Sequence, residues 1–481
     1  MRAVAIWRRG GLLAAAKTDF SLLFLDHHAH GLKSGTCMRA IAIRLFRGVP
    51  ASAPEINAAL EGKWNRLSAC DDRLFGRFFG RFVWGILVSG THALNFARLG
   101  KSDKVSFFSI CFNAANVDKM LKTHVSGRVA FACLNRPEAL NTLNLELVTR
   151  LRKQLAEWHN DSEVAVIVLR GEGPRAFCAG GDVKTVCLEI AKGNASYGTD
   201  FFKEEYRLDY AIHESLKPIV VVAHGFTMGG GIGLLAGASC RVVTSSSVLS
   251  MPELAIGFFS DVGASYFLAD LPGRLGLFLA LTGTRLNAAD AIFAGMADFF
   301  ISDARIADFC ALLEATTWSH DSDANRRQLK ARTKTFSKEF ASQLPPAQLK
   351  PLLAEINAAL AGNDPRASMA RLLKMSESSD ALLSGAATAF KRGSPTSAFL
   401  IFEQTRRGSQ LSLAAALRME LDLATNCCRG HDFPEGVRAL LIDKDQKPNW
   451  QPAMLEEVTD NVIAGYFNSP WPTSQHPLKD L

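Results

Sequence analysis

Two carboxylates and two glycine-rich loops carry the chemistry that this sequence offers. The segment Met251-Pro-Glu-Leu-Ala-Ile-Gly-Phe-Phe-Ser-Asp-Val-Gly263 holds Glu253 and Asp261. Shortly before it, Thr227-Met-Gly-Gly-Gly-Ile-Gly233 places glycine where a strand gives way to a helix. A second loop of this kind, Phe177-Cys-Ala-Gly-Gly-Asp182, comes earlier. Backbone N–H groups at a helix start lack intrahelical partners, and glycine lets a ligand reach them. Such donors can hold a developing oxyanion, while carboxylates supply base, nucleophile or acid. The combination suits reaction at a carbonyl. Gly181 and Gly230 are best placed to aim one N–H each at a carbonyl oxygen.

The loops must be held by the elements around them. Residues 164–169 form a continuous, largely β-branched run, and 218–223 form another that leads directly into the second loop. Both predict buried strands, and 128–134 and 240–244 predict two more. A helix is expected over 143–158, with Leu147, Leu151 and Leu155 on one face. Strands alternating with helices, with glycines at the strand ends, define an α/β architecture. From about residue 300 the pattern turns helical, over 304–318, 346–361, 368–376, 396–407 and 412–424, with one more helix within 430–445. Pro346 is expected at a first helical position and Ser368 as an N-cap.

Charge is uneven along the chain. Its 481 residues carry a net +7, yet residues 1–100 alone hold 14 Lys/Arg against 6 Asp/Glu. The basic balance therefore belongs to the N-terminal part. No basic stripe interleaved with aromatics follows it, which argues against a nucleic-acid partner. The start is rich in arginine and poor in acids, a composition expected of an organellar targeting segment. Met1-Arg-Ala-Val-Ala-Ile is echoed by Met38-Arg-Ala-Ile-Ala-Ile, which offers Met38 as a second start. The apolar run 78–88 is interrupted by Arg81 and is too short to span a bilayer. Ten scattered cysteines, with no CxxC framework, read as reduced thiols.

Other chemistries find little support. Neither loop has the Gly-x-x-x-x-Gly-Lys-[Ser/Thr] pattern of a nucleotide site. Cys178 and His224 lie at different strand ends with no third group to orient them, so a Cys/His nucleophile is not expected. No His/Cys/Asp cluster has metal-ligand spacing.

The order Asn135-Arg-Pro, Ala139-Leu-Asn, Phe177-Cys-Ala-Gly-Gly-Asp-Val-Lys184, Met228-Gly-Gly-Gly and Met251-Pro-Glu resembles the crotonase (enoyl-CoA hydratase/isomerase) superfamily. Phe202-Lys-Glu-Glu-Tyr206, Asp261-Val-Gly, Leu279-Ala-Leu-Thr-Gly283, Ser394-Pro-Thr-Ser and Arg429-Gly-His-Asp-Phe-Pro-Glu-Gly are similar to its 3-hydroxyisobutyryl-CoA hydrolase family. The likeness covers about 117–468. It implies a core of stacked ββα turns over 117–300 and a helical region over 301–481. Residues 1–116 remain a basic extension of unknown fold.

Crotonase-type hydratases carry a first glutamate just after the glycine turn, and that position here is Gly233. The resemblance then implies thioester hydrolysis in valine breakdown, with Glu253 attacking the thioester or activating water. Asp261 would orient the substrate hydroxyl or handle protons, and Gly181 and Gly230 would form the oxyanion hole. Glu205 matches a substrate-contacting position, and Lys184 lies where the CoA nucleotide is held. Ser260 stands where proline is usual before that aspartate. No cofactor is expected, because CoA belongs to the substrate. A mitochondrial location follows from the pathway and the basic start. A homo-oligomer, an enoyl-CoA hydratase or isomerase, and a silent CoA-binding protein stay open as alternatives.

Overall fold

In this computed structural model, side chains are described for Met120–Leu481; earlier residues contribute only short strand segments. The basic extension, the Met38 start and the 78–88 run therefore lie outside the described side chains. The chain divides into two units, Met1–Asp118 and Lys119–Leu481. The second holds every site residue named above.

Its strands form two sheets. An antiparallel hairpin of β1 (Leu121–Ser126) and β2 (Val129–Leu134) opens the unit, and β3 (Val166–Gly171) joins β2 in parallel. From there the chain alternates between sheets through β4 (Ala176–Cys178), β5 (Ile219–Ala223), β6 (Phe226–Met228), β7 (Cys240–Thr244), β8 (Val248–Ser250) and β9 (Phe299–Ile301). The larger sheet has the order β9-β7-β5-β3-β2-β1, and the smaller β4-β6-β8. Each central strand of the first sheet thus leads into a strand of the second. This is the stacked ββα core that the resemblance implied.

The core helices are α1 (Leu145–Asn160), α2 (Val183–Ala191), α3 (Tyr197–His213) and α4 (Gly230–Ala236). Asn144 caps α1 by accepting from the Leu147 N–H at 2.9 Å. Leu147, Leu151 and Leu155 are buried along one face, as their spacing predicts. Each such leucine contributes about 1.5–3 kcal/mol over its exposed state. β5 is apolar throughout, and β3 is apolar up to Arg170, because both faces are covered.

A helical region follows, from α5 (Ala264–Phe267), α6 (Leu275–Thr282) and α7 (Ala288–Ala294) to α8 (Ile306–Glu314), α9 (Ser322–Lys338), α10 (Leu353–Ala359), α11 (Pro365–Lys374) and α12 (Ala381–Arg392). It ends with α13 (Pro395–Gly408), α14 (Leu413–Arg429), α15 (Asp432–Val437) and α16 (Asp460–Tyr466).

Two expected helix starts fall elsewhere. Pro346 opens no helix, because the N–H groups of Gln348 and Leu349 donate to Asp290 at 2.7 and 2.9 Å. α10 begins only at Leu353. Ser368 is buried inside α11, whose cap is Asp364 with Pro365 at the first position. Helices α9 and α12 were not anticipated. α9 buries a mixed stripe of Asn325, Leu329, Thr333 and Phe336, which blurs its apolar period.

Candidate active site

The two glycine loops meet. Leu143 donates to the Gly180 carbonyl at 2.8 Å, and Asp182 donates to the Leu143 carbonyl at 2.7 Å, which fixes the first loop against the chain before α1. Gly180 sits at φ +104°, and a Cβ there would lie 3.2 Å from the Met228 carbonyl oxygen. A Cβ on Gly230 would lie 3.3 Å from the Gly181 nitrogen. Gly230 opens α4, so its N–H has no acceptor within the helix. Two backbone amides from different ββα turns therefore converge.

Buried carboxylates stand around them. Glu253 opens a short 3-10 turn after Pro252. Its Oε1 lies 3.1 Å from where a Cβ on Gly229 would be, beside Gly230. The Ser260 hydroxyl donates to its Oε2 at 3.4 Å. Glu205 comes from α3, with its Oε1 2.4 Å from a Cβ on Gly230 and 3.4 Å from one on Gly181. A side chain at Gly230 would displace the Glu205 carboxyl, and one at Gly181 would press on the Phe201 ring at 3.0 Å. Asp261 is buried in the turn before α5, and the Tyr206 phenol donates to its Oδ2 at 2.9 Å.

Burial dominates the electrostatics. It pushes the Glu253 carboxyl well above its ordinary range, helped by the charge of Asp261. Glu205 is raised by burial, then by Asp261 and Glu253. Asp261 is pushed up to about 7 by burial, against the hydrogen bond from Tyr206, which favours its charged form. Asp261 is thereby poised for proton exchange near neutrality.

The helical region fastens the turn that carries Asp261. Glu420 of α14 accepts from the N–H groups of Gly263 and Ser265 at 2.7 and 2.9 Å. Gln404 of α13 donates to the Ser260 carbonyl and, at 2.9 Å, to the Ser265 hydroxyl. Sequence reading missed Tyr206, Asp209, Gln404 and Glu420. For Glu420 a signal existed: an acid placed among Leu413, Leu417, Leu421 and Ala424 on the buried stripe of α14.

Gly233 is filled from outside. A Cβ there would lie 2.7 Å from both Oδ1 of Asp209 and Cβ of Val262. Lys184 is exposed near the start of α2. Cys178 is buried, its thiol pushed up to about 12 by burial, while His224 pairs with the Gly173 carbonyl at 2.7 Å. Cys178 and His224 thus do not pair with each other. All the cysteines with described side chains are free.

Stacked ββα turns, with two glycine loops converging beside buried carboxylates, define the class of protein. The family model described as "Enoyl-CoA hydratase/isomerase" matches residues 129–467, and the chain belongs to this family. Within it, the chain is 40% identical over 344 residues to a mitochondrial 3-hydroxyisobutyryl-CoA hydrolase of Xenopus laevis, covering 72% of this chain and 87% of that protein. It is 38% identical over 336 residues to the mitochondrial 3-hydroxyisobutyryl-CoA hydrolase of Homo sapiens, covering 70% and 85%. Two solved structures share its fold. An enoyl-CoA hydratase from Rhodobacter sphaeroides is 35% identical with a TM-score of 0.64, over 73% of this chain and 98% of that one. A carnitinyl-CoA dehydratase from Mycobacterium thermoresistibile is 33% identical with a TM-score of 0.66, over 74% and 98%.

Proposed function

We propose that the protein hydrolyses 3-hydroxyisobutyryl-CoA to 3-hydroxyisobutyrate and CoA, a step of valine breakdown, in the mitochondrial matrix. The thioester oxygen docks between the N–H groups of Gly181 and Gly230. Glu253 attacks the thioester carbon or activates water there, and the tetrahedral intermediate expels CoA thiolate. Asp261 orients the substrate hydroxyl or exchanges protons with it, and Glu205 contacts the acyl group. Lys184 meets the CoA nucleotide. The observation that carries this reading is the carboxylate of Glu253 set against Gly229, one residue from the oxyanion donor of Gly230. The names of the relatives support the substrate, and their mitochondrial location supports the compartment.

The titles of the two solved structures favour a second reading, hydration of an enoyl-CoA. Gly233 counts against it, since the hydratase-type glutamate is missing and Asp209 with Val262 fills its space. Thiol release from 3-hydroxyisobutyryl-CoA, measured beside hydration of crotonyl-CoA, separates the two. Glu253→Gln is expected to lose thiol release by about 10²–10⁴, the scale of a lost acid–base group, while still binding the CoA ester. Near-normal turnover in that variant would overturn the assignment.

A further inference from the structure

Helices α3 and α4 meet along a row of groups that the mechanism above does not use in full. Glu205 stands against Gly230, Asp209 against Gly233, and His213 against Gly237, where a Cβ would lie 2.6 Å from the imidazole Cδ2. The three ionisable residues recur every fourth position of α3, so they share one face. Oε1 of Glu205, both carboxyl oxygens of Asp209 and Nε2 of His213 are buried without a hydrogen-bond partner among the described residues. Stranding a buried polar group costs about 1–3 kcal/mol. Four such atoms in one line call for a common explanation, and protons or water passing along the row supply one. The row starts at the converging amides and ends at His213, which is only partly buried.

We propose that Glu205, Asp209 and His213 form a proton path from the thioester site to solvent. The inference rests on the hydrolase reading. In that reaction water adds to the thioester carbon and the C–S bond breaks. One proton of the water ends on the CoA sulfur. The other must leave, because the acid product is ionised at neutral pH. Glu205 receives that proton as it passes its own to Asp209, and Asp209 passes one to His213, which releases it.

The surroundings suit such hops. Burial, with the charges of Asp261 and Glu253, keeps Glu205 protonated above the usual range. Burial, with Glu205, Asp261 and Glu420, does the same for Asp209. Cys178, beside both carboxyls, stays a thiol. His213 is pulled down to about 4 by burial and by Arg241, so it sheds a proton rather than storing it.

The test follows thiol and proton release together in a stopped-flow mixer, with a thiol reagent, a pH dye and weak buffer. Wild-type protein should release both in step during turnover of 3-hydroxyisobutyryl-CoA. In Asp209→Asn and in His213→Gln, thiol release in the first turnover should stay within about twofold of wild type. Proton release should lag about tenfold or more, and added imidazole should remove the lag. Proton and thiol appearing in step in both variants would overturn the path, as would a lag that imidazole leaves unchanged. A wild-type protein that releases no thiol sinks the hydrolase reading instead. His213→Gln, at the partly exposed end, keeps the test open if Asp209→Asn fails to fold.

Discussion

The phenol of Tyr206 donates to Oδ2 of Asp261 at 2.9 Å, across 55 residues of chain. Burial raises Asp261 to about 7, and this bond holds it from rising further. Tyr206→Phe should therefore raise the pKa of Asp261. A hydrogen bond to a charged group contributes about 1.5–3 kcal/mol, which corresponds to roughly one to two pKa units. If Asp261 works ionised, the acidic limb of the kcat/KM profile moves to higher pH by about that amount. An unmoved limb would separate Asp261 from the pH dependence.

Glu420 is the second support of the same turn. Glu420→Ala strands the buried N–H groups of Gly263 and Ser265. At about 1–3 kcal/mol for each, unfolding by denaturant should show a clear loss of stability, with turnover reduced because Asp261 is no longer held. Wild-type stability in this variant would mean that the turn holds itself.

Gly233→Glu tests whether the hydratase arrangement can be restored by one change. The new Cβ meets Asp209 and Val262 at 2.7 Å. Overpacking of a core typically costs about 1–3 kcal/mol, occasionally more. We expect a lowered melting temperature and no gain of crotonyl-CoA hydration. A variant of wild-type stability that hydrates crotonyl-CoA would contradict this.

The buried carboxyls make stability depend on pH in a defined direction. Asp261 is raised from 3.8 to about 7 and Glu420 from 4.5 to about 8, chiefly by burial. Raised folded pKa values mean that the folded chain holds these protons more tightly than the unfolded one. Their contribution is complete at low pH and is lost as pH rises through about 7 and then about 8. The melting temperature should fall between about pH 4 and about pH 8. A flat or rising curve would show that these groups are already ionised in the folded chain.

The sequence made the frame legible where signals were long or chemically specific. Strand β5 is a continuous apolar run, β3 is one up to Arg170, and the glycine loops mark their own turns. Strands β4, β6 and β8 were hidden, because three residues each are too few for a period of two to show. Glu253 and Asp261 could be paired by their short separation. Tyr206 and Glu420 could not, since each reaches its partner across a fold that only packing brings together. Asp209 shares a helix face with Glu205, a spacing readable in hindsight, but its place over Gly233 depends on how α3 and α4 meet.

The fastening of the Asp261 turn by Gln404 and Glu420 sets an order of events in synthesis. A nascent chain that has emerged through β9 already owns the converging amides of Gly181 and Gly230 and the carboxyls of Glu253 and Asp261. The residues that fasten the Asp261 turn arrive more than a hundred positions later. If Asp261 works as proposed, activity is expected only once nearly the whole chain has been made. Partial unfolding that frees α13 and α14 should silence the protein while its sheets remain intact.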